Sequence, residues 1–406
     1  SLSLFLGERL MKIIQINATC GVGSTGKICL SISKLLNEKN IENYILYSSG
    51  QSDFPQAIKC SNEKYIKTQA LKSRILGNYG FNSAKSTKKI LEEIDTIKPD
   101  IVHLHNIHGH DCDVGKLFTK LKQDKIKTVW TFHDAWAFTA YCPLISDCEK
   151  WKKDCKECSE YKKFSWFFNR SELLYKRKKE LFSDVDMTIV TPSKWLAEIV
   201  KCSFLKDIPL KIINNGINLS IFSPSPSSFR KENNIPREVK LILGVAFDWE
   251  KRKGLEIFIS LSQKLDKKKY KIVLVGIDEK TKQDLPPEII PIERTRDQKA
   301  LAEIYTAADV FANPTSNDNF PTVNIEALAC GTPVVTFDAG GSGEILDESC
   351  GKVIPEGDLE AFEKEIIKIC DEKPYSESDC LKRASIFDEN NKFSEYVELY
   401  RTLCES

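Results

Sequence analysis

The sequence lacks a long apolar segment, because no run of about 18 apolar residues, the minimum for a helix that crosses a bilayer, occurs among its 406 residues. It also lacks a strong charge of either sign. Its 59 lysines and arginines nearly balance its 58 acidic residues, which gives a formal net charge of +1. We therefore expect no transmembrane helix, and we expect no nucleic-acid partner.

The first ten residues, SLSLFLGERL, lack the basic start and the small-residue cleavage site of a signal peptide. A compact β-branched run begins at Met11, so we interpret residues 1–10 as an upstream or added extension. Since no export signal is evident, the 14 cysteines are expected to be mainly reduced thiols in a cytoplasmic protein.

Strand-like and helical patterns alternate along residues 11–222 and again along 236–385. A Pro/Ser-rich segment, residues 223–235, separates the two halves and reads as a linker. The alternation predicts an α/β protein with two Rossmann-like domains facing across a cleft. Residues 386–406 are expected to form a C-terminal helix that packs back across the junction.

Residues 313–337, NPTSNDNFPTVNIEALACGTPVVTF, combine a strand end, a polar loop, a helix start and a second strand. Pro321 suits the first position of a helix, so we expect the helix to begin near Phe320. The N–H groups of Thr322 and Val323, with the positive end of the helix dipole, would then form a phosphate pocket. Asp318 precedes the helix and Glu326 lies within it.

The string EALACGTPVV, with Asp318 and Phe320 before it, resembles the donor-binding motif of retaining glycosyltransferases of family four. The family usually has a glutamate where this chain has Asp318 and a glycine where it has Pro321. The resemblance implies the GT-B fold and transfer of a sugar from a UDP- or GDP-linked donor. It also implies a glycan or polyprenyl-linked acceptor in bacterial surface-polysaccharide synthesis, with no cofactor for catalysis. Asp318 would hold hydroxyls of the donor sugar and Glu326 those of the ribose.

A second part of the resemblance is the string TFHD, in which a strand over residues 128–132 ends at His133. Ligands collect at the carboxyl ends of parallel strands, so His133 is expected in the cleft. In the family a histidine of this string lies beside the donor sugar, which implies that His133 donates a hydrogen bond to a sugar hydroxyl. His133 and Asp318 are thus the expected catalytic residues.

Two cations bind the diphosphate in the family, a lysine followed by glycine and an arginine after the preceding strand. Lys253, which precedes Gly254, corresponds to that lysine. Phe247 or a neighbour occupies that arginine position. Arg252, Arg294 and Arg296 are the alternatives for the second cation, and we include Arg252 among the donor-binding residues.

The glycine-rich stretch after the first strand, NATCGVGSTGK, nearly spells a P-loop, but Ile28 stands where magnesium requires a Ser or Thr hydroxyl. Resemblance to the family instead suggests a loop over the cleft, with Gly23 and Ser24 near donor phosphates and acceptor. His103 and His105 alternate along another strand. A metal pair is one interpretation, and a polar edge of the cleft is the one we prefer.

An insertion over residues 142–182 differs from the rest of the chain. Its cysteines include a C-x-x-C pair typical of zinc ligands, so we expect a structural zinc site, with free thiols or disulfides as alternatives. The four are Cys142, Cys148, Cys155 and Cys158. Between residues 149 and 180, 11 basic residues stand against six acidic ones and are interleaved with aromatics. That composition suits peripheral contact with a membrane surface, or else a solvated helix whose aromatics pack inward.

Two other functions are compatible with the same fold. A nucleotide-sugar epimerase of GT-B type would act on the donor without an acceptor. A non-catalytic module would bind a nucleotide sugar or glycan without turning it over. A retaining, metal-independent transferase is the function that we favour.

Overall fold

The computed structural model describes residues 11–145 and 147–405, and the interpreted extension over residues 1–10 lies outside that range. The chain divides into two compact units. The first contains residues up to 192, residues 196–213 and the chain from 393 onward. The second contains residues 193–195 and 214–392.

The first unit is a seven-stranded sheet with helices in its connections. Its strands are β1 (Lys12–Ile16), β2 (Glu42–Tyr47), β3 (Ala57–Lys59), β4 (Ile101–Leu104), β5 (Lys127–Thr131), β6 (Met187–Thr191) and β7 (Leu210–Ile212). Its connecting helices are α1 (Gly23–Glu38), α2 (Glu63–Leu76), α3 (Ala84–Ile97), α4 (Val114–Gln123) and α5 (Ser171–Phe182), and α6 (Lys194–Lys201) belongs to it from Leu196 onward. The order is β3-β2-β1-β4-β5-β6-β7, and every described pairing is parallel.

The second unit begins with α7 (Phe229–Glu232) and contains a six-stranded sheet. Its strands are β8 (Lys240–Val245), β9 (Tyr270–Val275), β10 (Ile289–Ile292), β11 (Val310–Asn313), β12 (Val334–Phe337) and β13 (Gly351–Ile354). Its other helices are α8 (Leu255–Lys264), α9 (Glu279–Gln283), α10 (Gln298–Ala307), α11 (Thr322–Ala329), α12 (Leu359–Glu372) and α13 (Glu377–Ser385), before α14 (Glu389–Glu405). The order β10-β9-β8-β11-β12-β13 is again all parallel.

Both sheets therefore repeat one topology, in which the chain first adds strands to one side of the opening strand and then crosses to the other side. This is the Rossmann order, and its point of reversal lies between β1 and β4 in the first unit and between β8 and β11 in the second. Loops that follow these strands emerge side by side at the carboxyl edge. The predicted fold class, two Rossmann-like α/β domains, is confirmed within each unit.

Buried apolar side chains cover both faces of each sheet, as all-parallel sheets require. In the second unit one core includes Leu241, Phe311 and Ile325, and the other includes Ile242, Phe258 and Val335. Residues 223–235, predicted as a linker, contain α7, and both Phe229 and Ile235 are buried in the first of these cores.

The last helix, α14, begins in the second unit, and its residues from Phe393 onward belong to the first. There Phe393, Tyr396 and Tyr400 are buried beside α1 and β1 residues such as Ile32 and Ile13. Within residues 11–145 and 147–405, no helix is long and apolar enough to cross a membrane.

Candidate active site

The reversal point of the second sheet brings together two residues predicted for donor binding. Lys253 follows β8 and Asp318 follows β11, and the Lys253 Nζ lies 2.5 Å from the Asp318 Oδ2. Both side chains are largely buried, with 17% and 22% exposure. An anion that binds Lys253 must compete with this carboxylate.

The backbone of the loop that carries Asp318 packs closely against Gly340 and Gly341. Gly340 has a left-handed φ of 63°, and a Cβ there would lie 2.0 Å from the Asp318 carbonyl oxygen. The Gly341 N–H donates to that same oxygen over 2.9 Å. The turn after β12 therefore fixes the backbone that carries Asp318, and any larger residue at Gly340 would displace it.

Helix α11 begins at Thr322, with Pro321 as its N-cap, so the predicted start near Phe320 was too early. Pro321 has a φ of −71° but an extended ψ of 109°, which places it just outside the helix. The N–H groups of Thr322 and Val323 belong to the first turn and have no acceptor within the helix. Phe320 packs its side chain into the core, 5.7 Å from the Phe387 ring, so only its backbone can face a ligand.

A buried amide pair, which the sequence analysis did not identify, ties this helix to the sheet. The Asn313 side-chain N–H donates to the Asn324 Oδ1 over 2.8 Å, and the Asn324 amide donates to the Ser342 carbonyl over 3.4 Å. Asn313 ends β11 and Asn324 lies in the first turn of α11. Asparagine in the first turn of a helix that is otherwise mostly buried was the available signal for this link.

Glu326 is the fifth residue of α11, one turn beyond its start. The buried Tyr305 hydroxyl on α10 donates to the Glu326 Oε2 over 3.2 Å. Burial, followed by the nearby Glu326 charge, raises the pKa of Tyr305 well above its usual value, so this phenol remains a donor. Tyr305 thus orients the carboxylate.

The three arginines considered for the second cation have different surroundings. Arg252 pairs with Glu250 at 2.9 Å and donates to the Asn317 carbonyl over 3.1 Å. Arg296 approaches Asp297 at 3.6 Å. Arg294 instead places its guanidinium carbon 4.1 Å from the centre of the Phe247 ring, and Phe247 is 64% exposed just after β8. The Arg294 guanidinium therefore lies beside Phe247, the position at which the resemblance implies an arginine.

In the first unit, His103 and His105 lie at the end of β4 with their rings 4.0 Å apart, so they point to the same side as predicted. Both are fully buried, so the predicted polar edge of a cleft was wrong for these two side chains. The His103 Nδ1 lies 2.7 Å from the Tyr400 hydroxyl, and its Nε2 lies 2.8 Å from the Thr131 Oγ1.

His133 follows β5, and its Nε2 lies 3.0 Å from the His105 Nδ1. The His105 Nε2 in turn lies 2.9 Å from the Gln15 Oε1 on β1. Desolvation lowers the pKa of His133 to about 4, although the neighbouring Asp134 charge opposes that shift. His133 is therefore a neutral imidazole near pH 7.

Asp134 is held in place beside His133. Its Oδ2 lies 3.1 Å from the His108 Nε2, and its Oδ1 accepts the Trp136 N–H over 2.9 Å. Burial alone would raise the pKa of Asp134, but the His108 charge and these hydrogen bonds together lower it. The carboxylate is thus the negative group of the histidine cluster.

Gly23 and Ser24 open α1, after β1. Gly23 has a left-handed φ of 68° and open space where a Cβ would stand, while Ser24 is exposed. Asn17 ends the strand by accepting the Asn106 N–H over 3.1 Å, which joins the loops after β1 and β4. Ile28 is buried in the core, so it supplies no magnesium ligand.

The four clustered cysteines line one small cavity of about 30 Å³ together with Trp151. None of the 14 cysteines, all of which lie in the described ranges, forms a disulfide. Nor do three or more His, Cys, Asp or Glu side chains among those residues converge as metal ligands would. Outside this cluster, Cys29, Cys330 and Cys370 are buried, whereas Cys202 is exposed.

The aromatic residues of the insertion divide into two groups. Trp151 and Tyr175 are buried, as the inward-packing alternative predicted. Trp166, Phe167 and Phe168 are exposed, Phe167 by 65%. The Trp166 N–H donates to the Arg74 carbonyl over 2.7 Å, so these rings adjoin the end of α2, where Leu71, Ile75 and Leu76 are also exposed. We call these six residues the apolar patch.

Two family models match the chain: Glycosyltransferase Family 4 over residues 26–221, and Glycosyl transferases group 1 over residues 239–372. The putative colanic acid biosynthesis glycosyl transferase WcaC of Escherichia coli is 21% identical, covering 97% of this chain and 100% of the relative. Sucrose-phosphate synthase from Thermosynechococcus elongatus has a TM-score of 0.72 at 17% identity, covering 97% and 99% of the chains. HepE from Anabaena in complex with UDP-glucose has a TM-score of 0.66 at 15% identity, covering 97% and 100%. The fold is that of GT-B enzymes.

The buried histidines predict acid sensitivity. Burial lowers the pKa of His110 and His133 to about 4, and those of His103 and His105 well below 6.5. Between pH 6.5 and 4 the unfolded chain binds protons that the folded chain does not, so stability is lost as pH falls through this window. We expect calorimetry to show the melting temperature falling by about 5 °C or more between pH 7 and pH 5.

The variant His110→Asn should lessen that fall, because it removes one of the titrating groups. A melting temperature that stays constant from pH 7 to pH 5 would contradict the neutral, buried state of these histidines.

Proposed function

The chain belongs to the glycosyltransferases of family four, and on that premise we propose that it transfers a sugar from a nucleoside-diphosphate donor to a glycan or lipid-linked acceptor. The proposal includes retention of anomeric configuration and a place in surface-polysaccharide synthesis. Its main support is the Lys253–Asp318 pair at the reversal point of the second sheet, beside the first turn of α11. Similarity to WcaC supports the polysaccharide assignment.

The donor diphosphate would exchange partners with this ion pair. A diphosphate carries more negative charge than one carboxylate, so it would take Lys253 and release Asp318 to hold hydroxyls of the donor sugar. The N–H groups of Thr322 and Val323 lie at the positive end of α11 and would bind phosphate oxygens. Negative charge grows on the diphosphate as the glycosidic bond breaks, so these groups stabilise the transition state more than the ground state.

A second cation would come from Arg294. Its guanidinium lies over Phe247 and has no ion pair with a carboxylate among the described residues, whereas Arg252 is engaged by Glu250 and the Asn317 carbonyl. Arg294 therefore replaces Arg252 as our preferred partner of Lys253. Two cations and a helix start suffice to balance the leaving group, which supports catalysis without a divalent ion.

Glu326 would bind the ribose hydroxyls, with Tyr305 fixing the orientation of its carboxylate. His133 would orient the transferred sugar, and Gly23 and Ser24 would contact phosphate or acceptor. The solved Anabaena structure contains UDP-glucose. Its fold supports a UDP-linked donor, with a GDP-linked donor as the alternative to be tested.

The test is incubation of the protein with radiolabelled UDP- and GDP-sugars. We expect transfer to an acceptor, or slow release of free nucleotide without one. Conversion to an isomeric nucleotide sugar would instead indicate an epimerase, and binding without turnover a non-catalytic module.

The variant Glu326→Gln should weaken nucleotide binding about tenfold or more, because a charged hydrogen bond to the ribose is lost. Calorimetric titration of UDP and GDP measures this affinity. The matched control is Glu303→Gln on α10, which should bind as the wild type does. Equal affinities for the Glu326→Gln variant and the wild type would remove Glu326 from the donor site.

The apolar patch supports peripheral contact of a cytoplasmic enzyme with the inner membrane surface, where a polyprenyl-linked acceptor would reside. Six apolar side chains of the first unit are exposed on two segments joined by the Trp166–Arg74 backbone hydrogen bond, and basic residues such as Lys72, Arg74 and Arg170 accompany them in the sequence. Aromatic rings enter the headgroup region while lysine and arginine bind anionic lipid, each basic residue contributing about 1 kcal/mol.

Replacing two patch residues together, Trp166→Ser and Phe167→Ser, should lower binding to anionic phospholipid vesicles about tenfold, as measured by co-sedimentation. The control Ile386→Ser removes an exposed apolar residue of the second unit and should leave binding unchanged. Retention of full vesicle binding by the double variant would exclude the patch as the membrane surface.

The cysteine cluster supports a structural zinc ion. Four thiols match zinc in number and chemistry, and a cavity of about 30 Å³ has room for one ion-sized sphere. The thiols do not converge as they stand, so binding would require them to close around the ion. Among the described residues from 143 to 170 the buried apolar side chains are Trp151 and Cys155, so closure around an ion would stabilise this part of the insertion.

Elemental analysis of gently purified protein should find about one zinc per chain, and the variants Cys148→Ser and Cys158→Ser should lose it with a lower melting temperature. Cys202→Ser provides the control, because Cys202 is exposed and lies outside the cluster. A zinc content well below stoichiometric in the wild type would leave the cluster as free thiols.

A further inference from the structure

We propose that Gln15 and His105 are positioning residues that hold His133 in a single tautomer, with its proton on Nε2. The proposal rests on the role assigned to His133 above. It concerns a continuous chain of hydrogen bonds that runs from α1 through β1 and the residue after β4 to the loop after β5.

The first link fixes the orientation of the Gln15 amide. Its nitrogen lies 3.0 Å from the Cys29 carbonyl and 2.7 Å from the Ser33 hydroxyl, both on α1. A carbonyl can only accept a hydrogen bond, so the NH₂ group of Gln15 must face α1. The Gln15 Oε1 therefore faces away from the helix, toward His105.

The second link fixes the tautomer of His105. Its Nε2 lies 2.9 Å from the Gln15 Oε1, which has no hydrogen to give. The His105 Nε2 must therefore carry the proton. With the opposite tautomer, a nitrogen lone pair would face an oxygen lone pair in a buried site. Burial keeps the ring neutral by lowering the pKa of His105 well below its usual value, so its Nδ1 carries the lone pair.

The third link fixes the tautomer of His133. Its Nε2 lies 3.0 Å from the His105 Nδ1, which can only accept, so the His133 Nε2 must donate. The two rings are nearly parallel, with an interplanar angle of 15° and centroids 5.3 Å apart. The Trp130 indole N–H donates to the His105 carbonyl over 3.0 Å, which anchors the backbone of the intermediate residue.

The chemical consequence concerns the other nitrogen of His133. When Nε2 holds the proton of a neutral imidazole, Nδ1 is an acceptor, and any group that contacts Nδ1 must donate. A sugar hydroxyl that binds Nδ1 would therefore donate the hydrogen bond to His133. This reverses the direction of the hydrogen bond expected from the sequence, in which His133 was the donor.

The sequence itself contains a signal for this arrangement, which is an amide within an apolar strand. Gln15 is the single uncharged polar residue of the run IIQI in β1, and it is fully buried. A buried amide requires hydrogen-bond partners. Its place on the strand next to β4, in register with His103, brings it beside the histidine strand.

The direct test is NMR of protein labelled with ¹⁵N at the histidine rings, because long-range proton–nitrogen correlations distinguish the two neutral tautomers. The chain has only five histidines, so single His→Asn variants can assign the signals. We expect His105 and His133 of the wild type to carry their protons on Nε2. A His133 proton on Nδ1 would overturn the proposal without any variant being needed.

Two variants then test the positioning role. Gln15→Leu removes the acceptor and should give His133 a mixture of tautomers. It should lower kcat for transfer about tenfold or more, with little change in the affinity for UDP or GDP. Gln15→Glu, as the neutral carboxylic acid expected in this buried site, can still donate to the Cys29 carbonyl and accept from His105, so it should preserve the His133 Nε2 proton. Thr128→Val, at a buried position of β5 outside the chain of hydrogen bonds, is the control and should leave tautomers and kcat as they are.

The outcomes separate this proposal from the proposed function. A wild-type protein that transfers sugar, but whose Gln15→Leu variant keeps both the His133 tautomer and kcat, would refute the positioning role alone. A wild-type protein that shows the expected tautomers but transfers no sugar would refute the proposed function. It would also refute the contribution of this chain of hydrogen bonds to catalysis.

Discussion

Within each sheet, every described strand runs parallel to its neighbours, and the rest of the structure depends on this constraint. Parallel strands send all their carboxyl ends to one edge, so residues distant in sequence meet there. Lys253 and Asp318 are 65 positions apart but follow the neighbouring strands β8 and β11. Gln15, His105 and His133 likewise belong to three neighbouring strands or to the residues that follow them. Helices in the crossovers cover both faces and leave only the loops for chemistry.

The two units place their polar groups in opposite electrostatic conditions. In the second unit a cation and an anion pair at 2.5 Å near the surface, where a more highly charged ligand can take one partner from the other. In the first unit His105 and His133 are buried and remain uncharged, and their arrangement is set by the directions of hydrogen bonds. The first condition suits exchange with a phosphate, and the second suits recognition of hydroxyl groups. The proposed transfer requires both.

Local sequence patterns were sufficient for the strands and for most crossovers. The strand expected over residues 128–132 forms over Lys127–Thr131, because β-branched and aromatic residues favour a strand there. The sequence pattern does not locate every crossover helix, and α2 is an example. In α2, exposed leucines and isoleucine blur the amphipathic pattern on which such predictions depend. The start of α11 was placed early because Pro321 is compatible both with the first helical residue and with the N-cap. Contacts between distant residues, such as Tyr305 with Glu326 or Arg294 with Phe247, leave no local pattern.

The last helix has a consequence for the order of synthesis. Tyr396 and Tyr400 supply hydrogen-bond partners to Thr131 and His103, which stand 265 and 297 positions earlier in the chain. During translation the first sheet emerges from the ribosome long before those tyrosines are synthesised. The side chains of His103 and Thr131 therefore lack these partners until the second unit has been made. The nascent first unit therefore cannot reach its final packing until residues 393–405 have been added, and chaperones have that interval in which to engage it.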